Sequence, residues 1–279
     1  MNPATGTGGL TSASQSFYNL TISPSSGAAI TANDSVSVTN NMAVNSGTFS
    51  FTQGNTATLT VTGTLTVASG GTITCPYTSL TVPDTGGSGR TITAASIDIQ
   101  TGGTISADGK GFPEGQGPGS GLYKAGAYGG EGEPTGPTTY GSIKNPLSLG
   151  SGGRDPSGAG AIVLSVSGTL TVDGVLSATG LFGTCGSSGG SINIVCNTLS
   201  GSGYIKANGG PWNNGYGGGG GRVAIRQTTG TSWTPNIQAF GGTGPTWANY
   251  TGAAGTVYLA DANDYDPVLE IYKGELIIN

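Results

Sequence analysis

The chain has 279 residues, of which 8% are charged, and its nine Lys and Arg residues against fourteen Asp and Glu residues give a net charge of -5. So few basic residues provide no electrostatic footprint for nucleic acid or an anionic membrane, and no apolar stretch approaches the roughly 18 residues of a transmembrane helix. The absence of histidine excludes Ser-His-Asp and Cys-His catalysis. We therefore predict a protein that is not an enzyme, does not bind nucleic acid and does not insert into a membrane.

Residues 1–84 are predicted to be rich in β-strands. Short segments alternate Thr or Ser with an apolar residue, which is the period of a strand with one face buried and one exposed. Gly, Asn and Ser-Gly pairs between these segments are typical of turns. The predicted strands lie at residues 35–39, 47–51, 57–61, 63–67, 71–74 and 79–82.

Residues 85–279 carry a second, recurring unit in which two short strands are followed by an alanine and then by glycine. The alanines are Ala107, Ala178, Ala207 and Ala239, separated by 71, 29 and 32 residues. A small residue followed by glycine suits a tight corner where neighbouring backbones approach closely. The longest interval contains a predicted side loop at 109–160, and shorter Gly-rich excursions are predicted at 211–221 and 241–255.

These recurring strands predict an all-β fold, a parallel β-helix or β-solenoid with Gly-rich loop excursions and very little helix. The two regions are expected to form one continuous elongated domain. No cofactor is implied, apart from a possible calcium ion described below.

Aromatic residues concentrate in the Gly-rich excursions. Exposed rings on loops offer flat contact surfaces for sugars or protein partners. The alternative is that the rings fold back and cover the side of the solenoid. As contact residues for a glycan or a surface protein we predict Tyr123, Tyr128, Tyr140, Trp212, Tyr216, Trp247 and Tyr250.

An oxygen-rich segment near the C-terminus is a candidate calcium site. Three carboxylates and one amide fall within six residues, and oxygen ligands are those that calcium prefers. The segment lacks the glycine and the distal glutamate of an EF-hand, so a solvated acidic turn is the alternative. The candidate ligands are Asp261, Asn263, Asp264 and Asp266.

Three acidic residues, Asp98, Asp108 and Asp173, are the candidates if the chain is instead an enzyme that degrades polysaccharides with carboxylates alone. Asp108 and Asp173 precede glycine, which favours a role in turns. The cysteines form no Cys-x-x-Cys pair. Cys185 and Cys196 form a disulfide only if their Cα atoms lie within about 7 Å; otherwise they are buried small residues.

The Gly-rich segments of the C-terminal region resemble a Gly-rich β-helix repeat of very large bacterial surface proteins. The segments concerned are 189–194, 199–210, 217–225, 237–242 and 252–259. The resemblance implies a parallel β-helix located at the cell surface and implies no catalytic residues.

We accordingly predict a structural or adhesive repeat module of an extracellular surface protein. A phage tail fibre or tailspike segment, located in a virion, is the first alternative, because the N-terminus has no export-signal pattern. The apolar run at 276–278 would expose a strand edge unless another unit stacks on it, which predicts head-to-tail self-association. The final strand pattern is interrupted by the end of the sequence, so we expect a piece of a longer chain.

Overall fold

The computed structural model describes residues 6–25, 27–81, 86–120, 123–244, 250–266, 271–272 and 275–278. Within these ranges the protein is all-β and contains no helix. The strands are β1 (Thr7–Leu10), β2 (Ser16–Phe17), β3 (Leu20–Ile22), β4 (Ala29–Ala32), β5 (Val36–Val38), β6 (Met42–Val44), β7 (Gly47–Phe51), β8 (Leu59–Val67), β9 (Gly71–Thr74), β10 (Arg90–Ile99), β11 (Thr104–Ser106), β12 (Ala161–Val166), β13 (Thr169–Val172), β14 (Val175–Ser177), β15 (Ser191–Cys196), β16 (Thr198–Ser200), β17 (Tyr204–Lys206), β18 (Arg222–Gln227), β19 (Asn236–Gln238), β20 (Thr256–Ala260), β21 (Tyr265–Asp266), β22 (Ile271–Tyr272) and β23 (Glu275–Ile278).

Two large sheets contain nearly all of these strands. The eight-stranded sheet has the order β1-β4-β7-β9-β11-β14-β17-β19, and the main path of the thirteen-stranded sheet runs β2-β5-β8-β10-β12-β15-β18-β20-β23. Pairing is parallel, except that β23 joins β20 and β22 joins β21 in antiparallel pairs. The chain visits the two sheets in turn. We call each segment that starts with a strand of the eight-stranded sheet a layer: layers one to eight start at β1, β4, β7, β9, β11, β14, β17 and β19.

Alternation of side chains along the strands places the core between the sheets. In the eight-stranded sheet one inward column is formed by Ile30, Phe49, Ile73, Ile105, Leu176 and Ile205. The matching column of the thirteen-stranded sheet is formed by Val36, Leu59, Ile92, Leu164, Ile194, Ile225 and Leu259. Each column is buried because every second side chain of a strand points to the same face.

The recurring alanine corners stack on one another, as the sequence predicts. The amides of Ala107, Ala178 and Ala207 donate to carbonyls of the next layer, each at 2.8 Å, and all three side chains are fully buried. The prediction of a close backbone approach at these corners is confirmed.

Two predicted strand boundaries differ from the structure. The predicted strands at 57–61 and 63–67 form the single strand β8, and its pairing with β10 contains an irregularity between Ala94 and Ser96. The predicted strand at 79–82 is wrong for residues 79–81, which form only an isolated antiparallel bridge from Ser79 to Ser88; Val82 lies outside the described residues. The physical reason is that Leu80 packs with a small separate cluster around Phe112.

The long side loop covers the outer face of the late strands β15, β18 and β20 of the thirteen-stranded sheet. No strand occurs between β11 and β12 in the described part of this loop. Its Tyr128 hydroxyl lies 2.6 Å from the Ser191 hydroxyl of β15, and its Tyr140 carbonyl accepts from the Arg222 guanidinium of β18 at 2.8 and 2.9 Å. Strands β15, β18 and β20 are therefore buried on both faces over most of their length.

The Gly-rich segments pack into a separate structure beside the sheets, which we call the glycine bundle. It comprises residues 126–130, 150–153, 186–190, 207–210, 217–221, 239–242 and 250–255. None of these residues belongs to a strand, yet their backbone amides are extensively hydrogen-bonded. Prediction of 211–221 and 241–255 as loop excursions is therefore incomplete, because residues 217–221 are buried in this bundle.

Residues 217–221 form the central segment of the glycine bundle. The direction in which their backbone amides donate repeats every three residues. Gly217 and Gly220 donate to Tyr250 and Ala253, Gly218 and Gly221 donate to Gly210 and Ala207, and Gly219 donates to Gly126. Three residues per turn with no internal hydrogen bonds is the geometry of a polyproline II helix. Each segment of the bundle thus bonds to several neighbours, whereas a strand bonds to two.

Glycine is needed in the bundle because of space. None of the residues 217–221 has a positive φ. A Cβ atom built on Gly218 would lie 1.9 Å from the Ser187 carbonyl oxygen, and one on Gly219 would lie 1.9 Å from that of Gly130. Any side chain at these positions would push neighbouring backbones apart and break their hydrogen bonds.

The three cysteines Cys75, Cys185 and Cys196 are free and buried, so Cys185 and Cys196 form no disulfide in the structure. Burial raises the pKa of the Cys75 and Cys196 thiols to about 12. Both therefore stay protonated at neutral pH and behave as small apolar side chains. Among the residues described, no helix is long and apolar enough to span a membrane.

Candidate functional site

Three successive loops have tips that contain Gly183, Trp212 and Thr243. These tips stack on one another beyond the glycine bundle, at one end of the later layers. Gly183 donates to Pro211 at 3.2 Å, and Trp212 donates to Thr243 at 3.2 Å. Gly183 and Trp212 also form a parallel bridge. The stacking brings side chains that are distant in the sequence onto one surface. We call this the loop-tip surface and define it by Tyr123, Arg154, Asp155, Phe182, Thr184, Tyr216 and Tyr250.

Three of the predicted contact aromatics meet on the loop-tip surface. The ring centroids of Tyr216 and Tyr250 are 4.7 Å apart. The Tyr123 carbonyl accepts from the Cys185 thiol at 3.5 Å, and Cys185 lies directly below Gly215, the neighbour of Tyr216. Tyr123 and Tyr250 are 65% and 50% exposed, so their rings face solvent on a backbone that is held in place.

The surface also holds one cation and one anion that the sequence analysis did not select. The Arg154 guanidinium lies 4.9 Å from the centroid of the Tyr123 ring, and the Asp155 carboxylate accepts from the amide of Thr184 at 3.2 Å and from its hydroxyl. These two bonds, and then the Arg154 charge, lower the pKa of Asp155 below its ordinary value. The arrangement presents a ring, a guanidinium and a carboxylate side by side.

Two residues of this surface have backbone conformations that are unusual for residues other than glycine. The φ angles of Tyr123 and Asp155 are +62° and +80°. Such conformations cost of order 1–3 kcal/mol and cluster at ligand-binding sites. In the described residues, the other non-glycine examples are Ala13 and Ser14, where a turn is held by the Asp34 carboxylate.

Tyr128 and Tyr140 lie elsewhere, inside the long loop. Tyr128 is fully buried, and its ring lies 4.7 Å from that of Tyr140 and 5.3 Å from the Arg222 guanidinium carbon. Burial raises the pKa of both hydroxyls. The Tyr140 hydroxyl donates to the Leu149 carbonyl at 2.6 Å. The ring of Tyr128 is not available to a ligand, because it fastens the loop to the sheet.

Trp212 is 3% exposed and lies beneath the loop-tip surface, with its ring centroid 6.0 Å from that of Tyr250. Its indole ring occupies the space beside Gly244, where a Cβ atom would lie 2.0 Å from the ring. Trp212 therefore supports Tyr250 from below. Trp247, the remaining predicted contact residue, lies outside the described residues.

The predicted calcium ligands lie in a turn after β20. The Asp261 carboxylate accepts from the Asn263 amide at 2.8 Å, and the Asp264 carboxylate accepts from the Asp261 amide at 2.9 Å. Asp266 lies in β21. Within the described residues no group of three or more His, Cys, Asp or Glu side chains is placed to hold a metal ion. Calcium binding stays a prediction.

The candidate acids of the alternative enzyme reading each bind groups of the protein. Asp108 accepts from the Ser177 hydroxyl and the Thr179 amide, both at 2.6 Å, and Asp173 accepts from the Ser202 amide at 2.9 Å. Both carboxylates thereby tie one layer to the next at a turn. The Asp98 carboxylate accepts from the Gln100 side chain at 3.0 Å.

Comparison of the sequence with protein-family models and with curated proteins, and of the structure with solved structures, gave no match.

Proposed function

We propose that the chain is a structural and adhesive module of an extracellular surface protein, built as a parallel β-helix, whose loop-tip surface contacts a glycan or a protein. Each layer would be one coil of the helix. The continuous parallel pairing from β1 to β19 and from β2 to β20, together with the alternation of the chain between the two sheets, supports this architecture.

The observation that carries the proposal is the exposure of two rings, that of Tyr123, whose carbonyl accepts from the Cys185 thiol, and that of Tyr250, whose carbonyl accepts from the Gly217 amide. Rigid aromatic side chains lose little conformational entropy on binding and cover the apolar face of a sugar or a peptide. Arg154 and Asp155 beside Tyr123 add hydrogen-bond donors and acceptors that fix orientation. Rings on a rigid platform with polar neighbours are typical of recognition surfaces.

An extracellular location agrees with a surface dominated by Gly, Ser, Thr and Asn in place of charged residues. Head-to-tail self-association is part of the proposal, because β1 and β2 end the two sheets at one side and β19 and β23 end them at the other. Unpaired strand edges promote pairing with another chain. Sedimentation velocity over a rising protein concentration should detect oligomers, and a strictly monomeric species throughout would refute this part.

Arrays of glycans and of extracellular proteins test the adhesive role. The unmodified chain should bind at least one probe, and Tyr123→Ala and Tyr250→Ala should each weaken that binding by about tenfold, the equivalent of one aromatic contact of about 1.4 kcal/mol. Tyr18→Ala is the matched control, since Tyr18 is 71% exposed but lies in the first layer. Equal losses in all three variants, or no binding to any probe, would contradict the proposal.

A further inference from the structure

A second surface feature lies on the thirteen-stranded sheet and shares no residue with the loop-tip surface. It is a groove of about 440 Å³ that runs across the strands where β8 and β10 bend and where β12 and β15 end. The residues that line it come from five successive strands or their ends, so the groove follows the direction in which the layers stack. At the strand spacing of about 4.8 Å, five strands make it roughly 19 Å long.

The groove repeats similar polar groups from layer to layer. Thr60, Thr93, Ser165 and Val195 are paired in register on its wall. Thr62, Ser167, Asn197 and Thr228 also line the groove. No charged residue lines the groove within the described part of the chain, and this neutrality favours an uncharged ligand.

Five hydroxyl groups of the groove are open to a ligand. The side chains of Thr60, Thr62, Thr93, Ser165 and Ser167 make no hydrogen bond with any described residue. These hydroxyls offer a ligand both donors and acceptors along one continuous groove.

The strands beneath the groove are already paired on both sides, so they offer no free backbone edge to an extended peptide. Recognition must use side-chain hydroxyls and amides together with small apolar patches such as Val195, which is 37% exposed. Sugars have this combination of hydroxyl groups and apolar faces, and the repeat of an extended chain of pyranose units is close to the spacing of the strands.

We infer that this groove binds an extended, uncharged polysaccharide chain, laid along the stack with about one sugar unit for each layer. The site is independent of the loop-tip surface and of the function proposed for it. A chain of about four or five units fills the groove, which spans five strands at about 4.8 Å each.

Binding to neutral oligosaccharides of increasing length tests the inference, with cello-, laminari- and malto-oligosaccharides as probes and isothermal calorimetry as the measurement. Affinity should rise with length for at least one series and stop rising at about four or five units, when the five strands are covered. Ser167→Trp, which fills the groove from an exposed position, should weaken binding at least tenfold. Thr169→Trp, two residues further along the chain and outside the groove, is the matched control.

Each other outcome overturns the inference. If no series binds, or if Ser167→Trp binds as well as the control, the groove is not a neutral-glycan site. If Tyr123→Ala abolishes binding while Ser167→Trp retains it, the sugar occupies the loop-tip surface, which would support the proposed function instead. A thermal melt verifies the folding of each variant, and the double variant Thr60→Ala, Thr93→Ala replaces Ser167→Trp if that variant unfolds.

Discussion

In layers one to three the chain passes between the sheets through short turns, whereas in layers five to eight it leaves the sheets for the long loop and the glycine bundle. Side chains connect the early layers: the Ser12 amide donates to Asp34 at 2.8 Å, the Asn55 amide group to the Asn33 carbonyl at 3.0 Å, and the Thr64 amide to Asn41 at 2.9 Å. Backbone hydrogen bonds connect the Gly-rich excursions of the late layers. The early layers need only about 22 residues each, since these bonds join residues 22 or 23 positions apart.

The two regions also differ in which faces of their strands are exposed. Early strands have one buried and one exposed face, so they present rows of Thr and Ser to solvent. Late strands are buried on both faces, because the long loop covers them. The residues of the loop-tip surface all belong to these later layers.

Replacement of Arg90 should give the largest loss of stability. Its buried guanidinium donates to the carbonyls of Pro76, Ala57 and Thr52 at 2.9, 2.8 and 2.6 Å, and burial lowers its pKa to about 10, which leaves it charged at neutral pH. Arg90→Met should cost about 3–5 kcal/mol of unfolding free energy, since several carbonyls lose their partner at roughly 1–3 kcal/mol each. Chemical denaturation measures the loss.

Arg222→Met is the comparison variant from the late layers. Its bonds join the long loop to the sheet, so its loss should expose that loop to hydrogen exchange and leave layers one to three protected. An equal rise in exchange across both regions would show that the early and late layers are not independent in stability.

Substitution of a bundle glycine should be the next largest effect. Gly218→Ala places a Cβ atom 1.9 Å from the Ser187 carbonyl oxygen and should cost about 1–3 kcal/mol or more, as overpacking does. Gly54 in the early layers has open space around it but a φ of +80°. Gly54→Asn should therefore be close to neutral, because asparagine tolerates this conformation.

Gly218→Asn completes the test, because it distinguishes two reasons for requiring glycine: a lack of space for a side chain and a positive φ angle. It should be at least as harmful as Gly218→Ala, and denaturation midpoints of the three variants provide the measurement. Similar losses for Gly54→Asn and Gly218→Asn would refute the interpretation that bundle glycines are required for close packing.

A smaller effect is expected from Tyr128→Phe. The variant removes the hydroxyl that lies 2.6 Å from Ser191 but keeps the buried ring, so the loss should be about 1 kcal/mol, the usual contribution of a hydrogen bond. Tyr18→Phe, at a 71% exposed position of the first layer, should be neutral. Thermal unfolding compares the two, and equal melting temperatures for both variants would mean that the hydroxyl does not fasten the loop.

The sequence predicts the strands well where one face is buried and the other exposed. Strands β7 and β9 have the predicted bounds, since Thr and an apolar residue alternate strictly there. The segment at 79–81 shows the same alternation but leaves the sheet, because Leu80 belongs to the separate cluster with Phe112. Local alternation contains no information about which apolar cluster a segment joins.

The site was predicted only in part for a related reason. Aromatic residues in Gly-rich segments pointed to Tyr123, Tyr216 and Tyr250, but equally to Tyr128, whose burial depends on a strand 63 residues away. Arg154 and Asp155 were not selected, although two adjacent charges within a nearly uncharged stretch are a signal that could have found them. The glycine bundle could not be predicted from turn chemistry, since its glycines are required by neighbouring segments and not by their own φ angles.

The smallest expected effect is a difference in acid titration between the two regions. Asp34 in the early layers and Asp155 on the loop-tip surface both have a lowered pKa, the first mainly from the Ser12 amide and the second mainly from the Thr184 hydroxyl. A lowered carboxyl pKa stabilises the folded state above the ordinary value of 3.8, and that stabilisation is lost as the pH falls through the folded-state pKa. The amide resonance of Thr184 should therefore titrate below 3.8 in NMR spectra.

Thr184→Val tests the two carboxylates separately. It removes the hydroxyl that donates to Asp155 and leaves the surroundings of Asp34 unchanged. The pKa of Asp155 should rise toward 3.8 in this variant, while the Ser12 amide continues to report an unchanged, lowered pKa for Asp34. The backbone amide at position 184 and the Arg154 guanidinium still lie beside Asp155 in the variant, so part of the lowering of its pKa should remain. A pKa of Asp155 that does not move would mean that the Thr184 hydroxyl does not hold the carboxylate, and that the tip of the late layers is less ordered than the turn of the early ones.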